Sequence, residues 1–287
     1  MGHTALVHAA RDAVGEHGRV EMWSFDPPPA SVLHPGLHLD RLTTFDQRRT
    51  LLLDAGADEV KRIEPTTELL SQSPEEFIRK IVKEANPSQI VEGDGFRFGK
   101  NRAGSSTILK ELGQQLGFTS IVVAPVEVAL RDHLIVRASS SMVRWLLKAG
   151  RVEDAAIMLG RPVQVVGRVE QGKRQGRVMG IPTANLGGVE TMLPSDGVYG
   201  GVATVDGNKS FQAAISIGTK PTFGKNKRVC EVHLIGYDGE SDHYDWTLAV
   251  TFTHWIRDQL RFDSMDDLKR AMHNDIERIH TLLESSR

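Results

Sequence analysis

Hydrophobic and polar positions follow two different periods along the chain, and the period changes after about residue 160. Before that point, apolar residues recur at steps of three and four, which predicts amphipathic helices separated by short apolar strands. The predicted helices cover 4–17, 43–56, a segment beginning at Pro74, a segment from Ser105 to about Gly117 and 139–150, and the predicted strands cover 19–25, 89–91 and 120–125. Because strands alternate with helices, the pattern indicates a parallel α/β sheet with crossover connections.

After residue 160 the period shortens to two, which is typical of half-buried strands. The predicted strands are 163–169, 198–205, 211–217, 228–235 and 246–253. Turn residues such as Asp206-Gly207 separate them, so we expect an antiparallel barrel or sandwich. Residues 265–284 return to helical spacing and predict a final helix whose apolar side packs on the barrel. We therefore expect two domains, 1–155 and 156–287.

Composition narrows the functional classes. The chain has 287 residues, of which 40% are hydrophobic and 25% charged, as in a globular protein in solution. A net charge of −2 gives no electrostatic argument for nucleic acid or an anionic membrane as the main partner. The single cysteine, Cys230, forms no internal disulfide and fits a reducing cytoplasm, where we expect the protein to act. Composition does not indicate the oligomeric state.

A glycine-rich loop opens the second half. Its glycines and cations are Gly172, Gly176 and Gly180, with Lys173, Arg174 and Arg177 between them. Glycines let backbone N–H groups approach phosphates closely, and the cations would favour an anion. The P-loop sequence is absent because no Gly-Lys-Ser/Thr follows the glycines. The spacing alone leaves both a phosphate loop and a plain hairpin turn open.

Thr183 and Asn185 follow this loop in the run Pro182-Thr183-Ala184-Asn185. Residues two apart in an extended chain face the same side, so a hydroxyl and an amide carbonyl would point to one place. Both are oxygen ligands of the kind that Mg²⁺ accepts while keeping several waters. The alternative is a turn in which both side chains bond the local backbone.

Glu231 lies inside a predicted strand, on the face opposite the apolar residues Cys230 and Val232. A carboxylate in a strand either faces water or takes part in chemistry. In the second case, Glu231 would act as the general base that removes a proton from a hydroxyl attacking a γ-phosphate. We expect the neighbouring His233 to support the structure.

Small and cationic residues also lie at predicted helix N-termini in the first half. They are Gly2 and His3, the loop Gly93-Asp94-Gly95-Phe96-Arg97-Phe98-Gly99, and Ser139-Ser140-Ser141 followed by Arg144. Helix N-termini at the edge of a parallel sheet are places where phosphates bind. Each one taken singly also fits ordinary helix capping.

An ordered series of short motifs gives the second half a family resemblance. The motifs are Gly160-Arg161-Pro162, the glycine loop, Pro182-Thr183-Ala184-Asn185, Leu193-Pro194 with Gly197-Val198-Tyr199, Ile217-Gly218 with Pro221-Thr222-Phe223, Glu231-Val232-His233-Leu234 and Phe262-Asp263-Ser264. Over residues 158–283 the chain resembles the riboflavin kinase module of bacterial bifunctional riboflavin kinase/FMN adenylyltransferases. One departure is Tyr244-Asp245, where the family usually has Tyr-Gly.

The resemblance implies a six-stranded barrel that phosphorylates riboflavin with ATP. It assigns Thr183 and Asn185 to Mg–ATP and Glu231 to the base that activates the ribityl 5′-hydroxyl. It assigns binding of the ATP phosphates to the loop that holds Gly172, Lys173, Gly176, Arg177 and Gly180. Arg257 and Phe262 would border the flavin.

The first half resembles the nucleotidyltransferase-like, Rossmann-like domain of the same family, which adenylates FMN to FAD. The resemblance assigns ATP and FMN binding to Gly2, His3, Asp94, Phe96, Arg97, Ser139, Ser140 and Arg144. The family's first strand and the first histidine of its His-x-Gly-His motif are not present, for which we favour a misassigned start over a true truncation. Pro28 and Gly95 stand where the family has His and Asp, and Ser141 replaces Thr.

The sequence thus predicts a bifunctional enzyme of flavin nucleotide synthesis that uses ATP with Mg²⁺ and acts on riboflavin and FMN. The substituted positions favour reduced adenylyltransferase activity. Two alternatives remain at this point. One is a monofunctional riboflavin kinase with an inactive N-terminal domain, and the other is a flavin- or nucleotide-binding regulator without catalysis.

Overall fold

A computed structural model describes residues 1–34, 36, 39–172, 176, 179–219, 228–239 and 244–285. The chain divides into two compact units, Met1–Glu127 and Val128–Arg287. The boundary expected from the sequence, between 155 and 156, lies further along the chain, after one helix of the second unit and within the next, Val152–Leu159. Among the described residues, no helix combines the length and apolar character needed to cross a membrane.

Unit 1 contains helices and parallel strands in alternation. Its elements are α1 Gly2–Val14, β1 Glu21–Phe25, α2 Pro29–Leu33, α3 Phe45–Asp54, β2 Glu59–Ile63, α4 Thr67–Ser71, α5 Pro74–Ala85, β3 Gln89–Gly93, a 3₁₀ turn Lys100–Arg102, α6 Ser106–Leu116 and β4 Thr119–Val123. The sequence pattern located the longer helices but missed β2, α2 and α4. α1 ends earlier than expected, because Gly15 takes a positive φ of 67° and caps it.

The strands of unit 1 form two separate parallel pairs rather than one continuous sheet among the described residues. β1 pairs with β2, with Glu21 opposite Glu59, and β3 pairs with β4, with Gln89 opposite Thr119. Every residue of β1 is only half-buried. The predicted parallel strand direction is therefore confirmed, and each of these strands retains an edge that no described strand covers.

Helix capping follows the chemistry visible in the sequence. The Thr44 hydroxyl accepts from the backbone N–H of Gln47, whose side chain accepts from the N–H of Thr44 in return. Ser73 and Glu76 form the same reciprocal pair at the start of α5. These capping boxes satisfy N–H groups that the first helical turn leaves without a partner, so each helix begins at a defined residue.

Unit 2 is built around strands, with helices before and after them. Its elements, beginning at the division, are β5 Glu127–Ala129, β6 Ile135–Arg137, α7 Ser140–Lys148, α8 Val152–Leu159, β7 Val163–Glu170, β8 Ala184–Gly187, β9 Gly197–Val205, β10 Lys209–Thr219, β11 Arg228–Leu234, β12 Thr247–Arg257 and α9 Met265–Glu284. The five strands predicted after residue 160 and the final helix are confirmed. β8, the short strand that carries Asn185, was missed as a strand.

Six strands close into an antiparallel barrel in the order β10-β11-β8-β7-β12-β9. Burial alternates along β11, where Cys230, Val232 and Leu234 point into the core. At the centre, the rings of Tyr199 and Phe252 meet edge to face with centroids 5.5 Å apart. The inward residues fill the interior of the barrel, so the outward residues can contact other elements and present polar groups.

The final helix α9 packs on the barrel as its pattern predicts. Ile279 is fully buried and lies in one cluster with Val198 and Ile256. The helix begins at Ser264, whose side chain accepts from the backbone N–H of Asp267. This packing fixes α9 against β9 and β12.

Candidate active site

Asn185, Glu231 and Ser216 lie side by side on the outer face of the barrel. Glu231 is directly opposite Asn185 of β8 on one side and Ser216 of β10 on the other. Glu231 is half-buried, whereas its chain neighbours Cys230 and Val232 are fully buried on the inner face. Since paired residues of an antiparallel ladder share a face, the three polar side chains form one row.

The glycines of the loop lie against this row. A Cβ added at Gly172 would collide with the side-chain amide of Asn185, and a Cβ at Gly176 would lie 3.3 Å from Oγ1 of Thr183. Only glycine permits so close an approach of backbone to the two oxygen-bearing side chains. Lys173, Arg174 and Arg177 lie outside the described residues, as does the Pro221-Thr222-Phe223 motif.

Two supporting contacts hold the row and the segment before β8. Gln259 donates from Nε2 to Oγ of Ser216 at 2.8 Å and to the carbonyl oxygen of Ile217 at 3.1 Å. His233 lies on the outer face of β11, and its Nδ1 is 2.8 Å from the carbonyl oxygen of Pro182. Because Pro182 directly precedes Thr183, this hydrogen bond restrains the backbone that carries the hydroxyl. The sequence indicated a structural role for His233 but gave no reason to select Ser216 or Gln259.

Arg257 is held mainly by an acidic partner. Its guanidinium makes a two-pronged ion pair with Asp275 of α9, with distances of 2.8–3.1 Å. Its Cζ also lies 5.5 Å from the centroid of the Phe262 ring. The ion pair is largely shielded from solvent, so Arg257 ties β12 to α9 and supports Phe262 through a cation–π contact.

Cys230 lies directly behind the row, inside the barrel, and is 1% exposed. Burial, reinforced by the nearby charge of Glu231, raises the pKa of the thiol to about 12. At neutral pH the sulfur is therefore a protonated, apolar core group.

The comparisons with known proteins follow this division of the chain. The riboflavin kinase family model matches residues 159–283, and the FAD synthetase family model matches residues 1–135. A bifunctional riboflavin kinase/FMN adenylyltransferase of Pseudomonas fluorescens is 34% identical over 278 residues, which are 96% of this chain and 86% of the relative. The chain belongs to this bifunctional family.

Another bifunctional relative and a solved structure are also similar to this chain over nearly its whole length. The Escherichia coli (strain K12) bifunctional riboflavin kinase/FMN adenylyltransferase is 30% identical over 280 residues, covering 96% of this chain and 86% of the relative. A solved chain from Streptococcus pneumoniae, described as a macrolide-efflux protein, superposes with a TM-score of 0.86 at 27% identity, covering 97% of this chain and 89% of that one. The protein is therefore an enzyme of flavin nucleotide biosynthesis, and the alternative of a non-catalytic regulator is not favoured.

In the FAD synthetase region, His3 lies in the first turn of α1. Desolvation by surrounding atoms lowers the pKa of His3, and the positive charge of Arg48 lowers it further, although part of the side chain is exposed. A neutral imidazole is therefore favoured at this position.

Asp94, Phe96 and Arg97 lie in the loop that follows β3. The backbone N–H of Asp94 donates to the carbonyl oxygen of Val123 at 3.1 Å, which fixes the start of the loop against β4. Phe96 is 37% exposed and stacks on Phe98, with ring centroids 5.4 Å apart. The loop therefore presents an aromatic side chain beside an arginine.

Ser139 and Ser140 lie at the start of α7, in unit 2. The Ser139 hydroxyl accepts from the backbone N–H of Met142 at 3.2 Å, which is an ordinary N-cap, and Ser140 is the first helical residue. Arg144 follows one turn later. The assignments of these three residues to ATP or FMN stay predictions.

Proposed function

We propose that the barrel phosphorylates riboflavin on its ribityl 5′-hydroxyl, with the row of Asn185 and Glu231 as the reaction centre. The observation that supports this most directly is the cross-strand pairing of these residues, with Gly172 packed against Asn185. A phosphoryl-transfer site needs a phosphate-binding backbone, oxygen ligands for a cation and a base close together. Gly172, Asn185 and Glu231 lie together on one outer face of the barrel, which supports these three roles.

Thr183 and Asn185 would hold magnesium together with the ATP phosphates. Their side chains supply a hydroxyl and an amide oxygen, and the loop glycines approach both closely. Two neutral oxygen ligands fit Mg²⁺, which takes its remaining ligands from phosphates and water. When bound, the cation neutralises the charge that develops on the transferring phosphoryl group.

The glycine loop would hold the ATP phosphates. The backbone at Gly172 and Gly176 lies close to Asn185 and Thr183, which the absence of side chains makes possible, and its N–H groups would contact the phosphates. Lys173 and Arg177 would add positive charge, and Gly180, with a positive φ of 78°, would close the turn. The close approach of these glycines to Asn185 and Thr183 supports a phosphate loop rather than a plain hairpin.

Glu231 would act as the general base. Its carboxylate accepts the proton of the ribityl hydroxyl as that oxygen forms its bond to the γ-phosphorus, while the bond to the ADP oxygen breaks. Gln259 would orient the row through Ser216, the cross-strand neighbour of Glu231. Phe262 would contact the flavin ring, and Arg257, held by Asp275, would keep the phenyl ring in place.

The N-terminal region would transfer an adenylyl group from ATP to FMN, giving FAD and pyrophosphate. The residues proposed to bind ATP and FMN are Gly2, His3, Asp94, Phe96, Arg97, Ser139, Ser140 and Arg144. The family model that matches residues 1–135 supports this activity. We place the functional boundary of the two modules at 155/156, between the two matched regions.

Glu231→Gln tests the kinase proposal, because glutamine keeps the shape of the side chain and removes the base. We expect riboflavin phosphorylation to fall by about 10²–10⁴-fold, since a positioned base typically contributes that much. Binding of Mg–ATP and riboflavin should be retained. FMN formation is measured by chromatography in single-turnover reactions.

Glu170→Gln is the matched control. Glu170 lies opposite Asn185 on the other side of the same row, yet it is exposed. The Glu170→Gln variant should retain most of the riboflavin phosphorylation. If both variants phosphorylate riboflavin as fast as the wild type, Glu231 is not the base. Incubation with ATP and FMN, with FAD as the product measured, tests the second activity separately.

A further inference from the structure

Three arginines of unit 1 surround a single carboxylate. Asp26 follows β1 and is 13% exposed, and Arg41, Arg48 and Arg62 each direct a guanidinium towards it. The closest distances from its oxygens are 3.9 Å to Arg41, 3.4 Å to Arg48 and 3.6 Å to Arg62. We call these three arginines with Asp26 the arginine cluster. None of its members was selected from the sequence.

Asp26 does not engage all the N–H donors of the three arginines. Close guanidinium–carboxylate hydrogen bonds measure about 2.7–2.9 Å, and all three contacts are longer. Nε of Arg48 is buried and has no hydrogen-bond partner among the described residues, while its Nη2 donates to the carbonyl oxygen of Phe25 at 3.1 Å. Several N–H donors of the cluster therefore remain for another acceptor.

The cluster also carries surplus positive charge. Three guanidiniums face one carboxylate, so two positive charges are not balanced within it. Desolvation lowers the pKa of Arg48, and the like charges of Arg41 and Arg62 lower it further against the opposing effect of Asp26. Like charges held together in a partly buried place destabilise the fold unless an anion offsets them.

Packing fixes the guanidiniums in position. The ring of Phe45 contacts two of them, with Cζ of Arg62 4.1 Å and Cζ of Arg48 5.7 Å from its centroid. Phe45 is itself buried as the first residue of α3. The cation–π contacts on Arg48 and Arg62 restrain these two side chains before any ligand arrives, which lowers the entropy lost on binding.

We propose that the arginine cluster binds a phosphate group. Planar guanidiniums recognise phosphate oxygens through paired N–H donors, and the cluster offers several from different directions. The positive charge of Arg48 lowers the pKa of His3, so the cluster acts electrostatically on a residue that is itself proposed to bind the nucleotide. As the site of a phosphate of ATP or FMN, the cluster rests on the adenylyltransferase function proposed above. The proposal that the cluster binds an anion is independent of that function.

Inorganic pyrophosphate is the probe, because it carries the chemistry without the nucleoside or flavin. Its affinity for the full chain is measured by titration calorimetry without divalent metal, for the wild type, Arg41→Gln and Arg62→Gln. Arg79→Gln is the matched control, since Arg79 is an exposed arginine of α5 that pairs with Glu75. Any binding elsewhere on the chain contributes equally to all four proteins.

Each cluster variant should weaken pyrophosphate binding by at least about tenfold, the loss expected for one charge-assisted hydrogen bond. Arg79→Gln should bind as the wild type does. Equal affinity in all four proteins would overturn the proposal. Thermal unfolding of each variant shows whether the chain folds, and Arg62→Lys, which keeps the charge, should recover part of the affinity if a glutamine variant does not fold.

Steady-state FAD formation identifies the source of the phosphate. A rise in the KM for ATP alone in Arg62→Gln assigns the cluster to the ATP phosphates, and a rise in the KM for FMN alone assigns it to the FMN phosphate. If neither KM changes, the assignment to a substrate phosphate is wrong. If the wild type forms no FAD but binds pyrophosphate through the cluster, the adenylyltransferase function fails while the anion site stands.

Discussion

The two units handle the edges of their strands in opposite ways. In unit 2, each barrel strand is paired on both sides, and burial alternates so that one face forms the core. Among the described residues of unit 1, β1–β2 and β3–β4 are separate pairs, and β1 is half-buried along its length. A closed barrel fixes the register of every strand, whereas a two-stranded pair leaves one edge of each strand open.

This difference decides how each unit presents its polar groups. In the barrel, Glu231 and Asn185 meet because the ladder places them opposite each other on the outer face. In unit 1, charged groups gather where strands end, as Asp26 does after β1. Unit 1 also buries Glu92 of β3, whose two carboxylate oxygens have no hydrogen-bond partner among the described residues. The barrel thus places its proposed reaction centre by strand pairing, whereas unit 1 retains unbalanced charge.

The largest expected effect comes from matched core truncations. Leu248 in the barrel and Leu109 in unit 1 are both fully buried. Either leucine replaced by alanine should lower the free energy of unfolding by about 2–5 kcal/mol. Leu248→Ala should lie at the upper end, because a closed barrel relaxes less around a cavity. Denaturant unfolding followed by circular dichroism measures both, and an equal or larger loss for Leu109→Ala would contradict the comparison.

The next effect concerns the contact between loop and barrel. Gly172→Ala forces Asn185 to move, so riboflavin phosphorylation should fall by about 10²-fold, as displacements of about 1 Å do in active sites. Gly93→Ala in unit 1 is the control, since a Cβ there has no neighbour within 4 Å. FMN formation is the readout. Equal rates for the two variants would show that Gly172 does not position Asn185.

The smallest effect is the pH dependence of unit 1. Burial raises the pKa of Glu92 from 4.5 to about 7, opposed by the charge of Arg97. Between these values the folded state binds a proton that the unfolded state has released, so this group destabilises the fold as pH rises from about 4.5 to 7. Glu92→Gln removes that dependence and should stabilise the protein by about 1–3 kcal/mol at pH 8, with little change at pH 4.5.

Unfolding titrations of Glu92→Gln and the wild type at both pH values measure this difference. Cys230, buried in the barrel, titrates only near pH 12 and leaves this range undisturbed. A stability difference that does not grow with pH would mean that Glu92 is not the group responsible.

The barrel was the more predictable half because its strands alternate. The period of two located β7, β9, β10, β11 and β12, and it put Glu231 on the face opposite Cys230. The side-by-side placement of Glu231 and Asn185 could not be predicted, since it depends on β11 pairing with β8 across a long connection. Ser216 and Gln259 were missed for the same reason, because their contact is created by tertiary structure.

In unit 1 two helix starts were predictable, that of α5 from Pro74 and that of α6 from the cap residue Ser105. The separation of the strands into two pairs was not predictable, because a sequence pattern shows that a segment is a strand but not which other strand it pairs with. The arginine cluster likewise escaped notice, since Arg41, Arg48 and Arg62 are widely spaced in the sequence and differ in local context. Asp26 brings them together only in the folded chain.

Cys230 has a practical consequence. It is the only cysteine of the chain and lies fully inside the barrel, one residue before the proposed base. A thiol-reactive dye can modify it only when β11 opens, so the labelling rate measures the opening frequency of that strand in the unaltered protein. Slower labelling in the presence of ATP or riboflavin would show how far each ligand holds the barrel wall closed, with no reporter introduced by mutation.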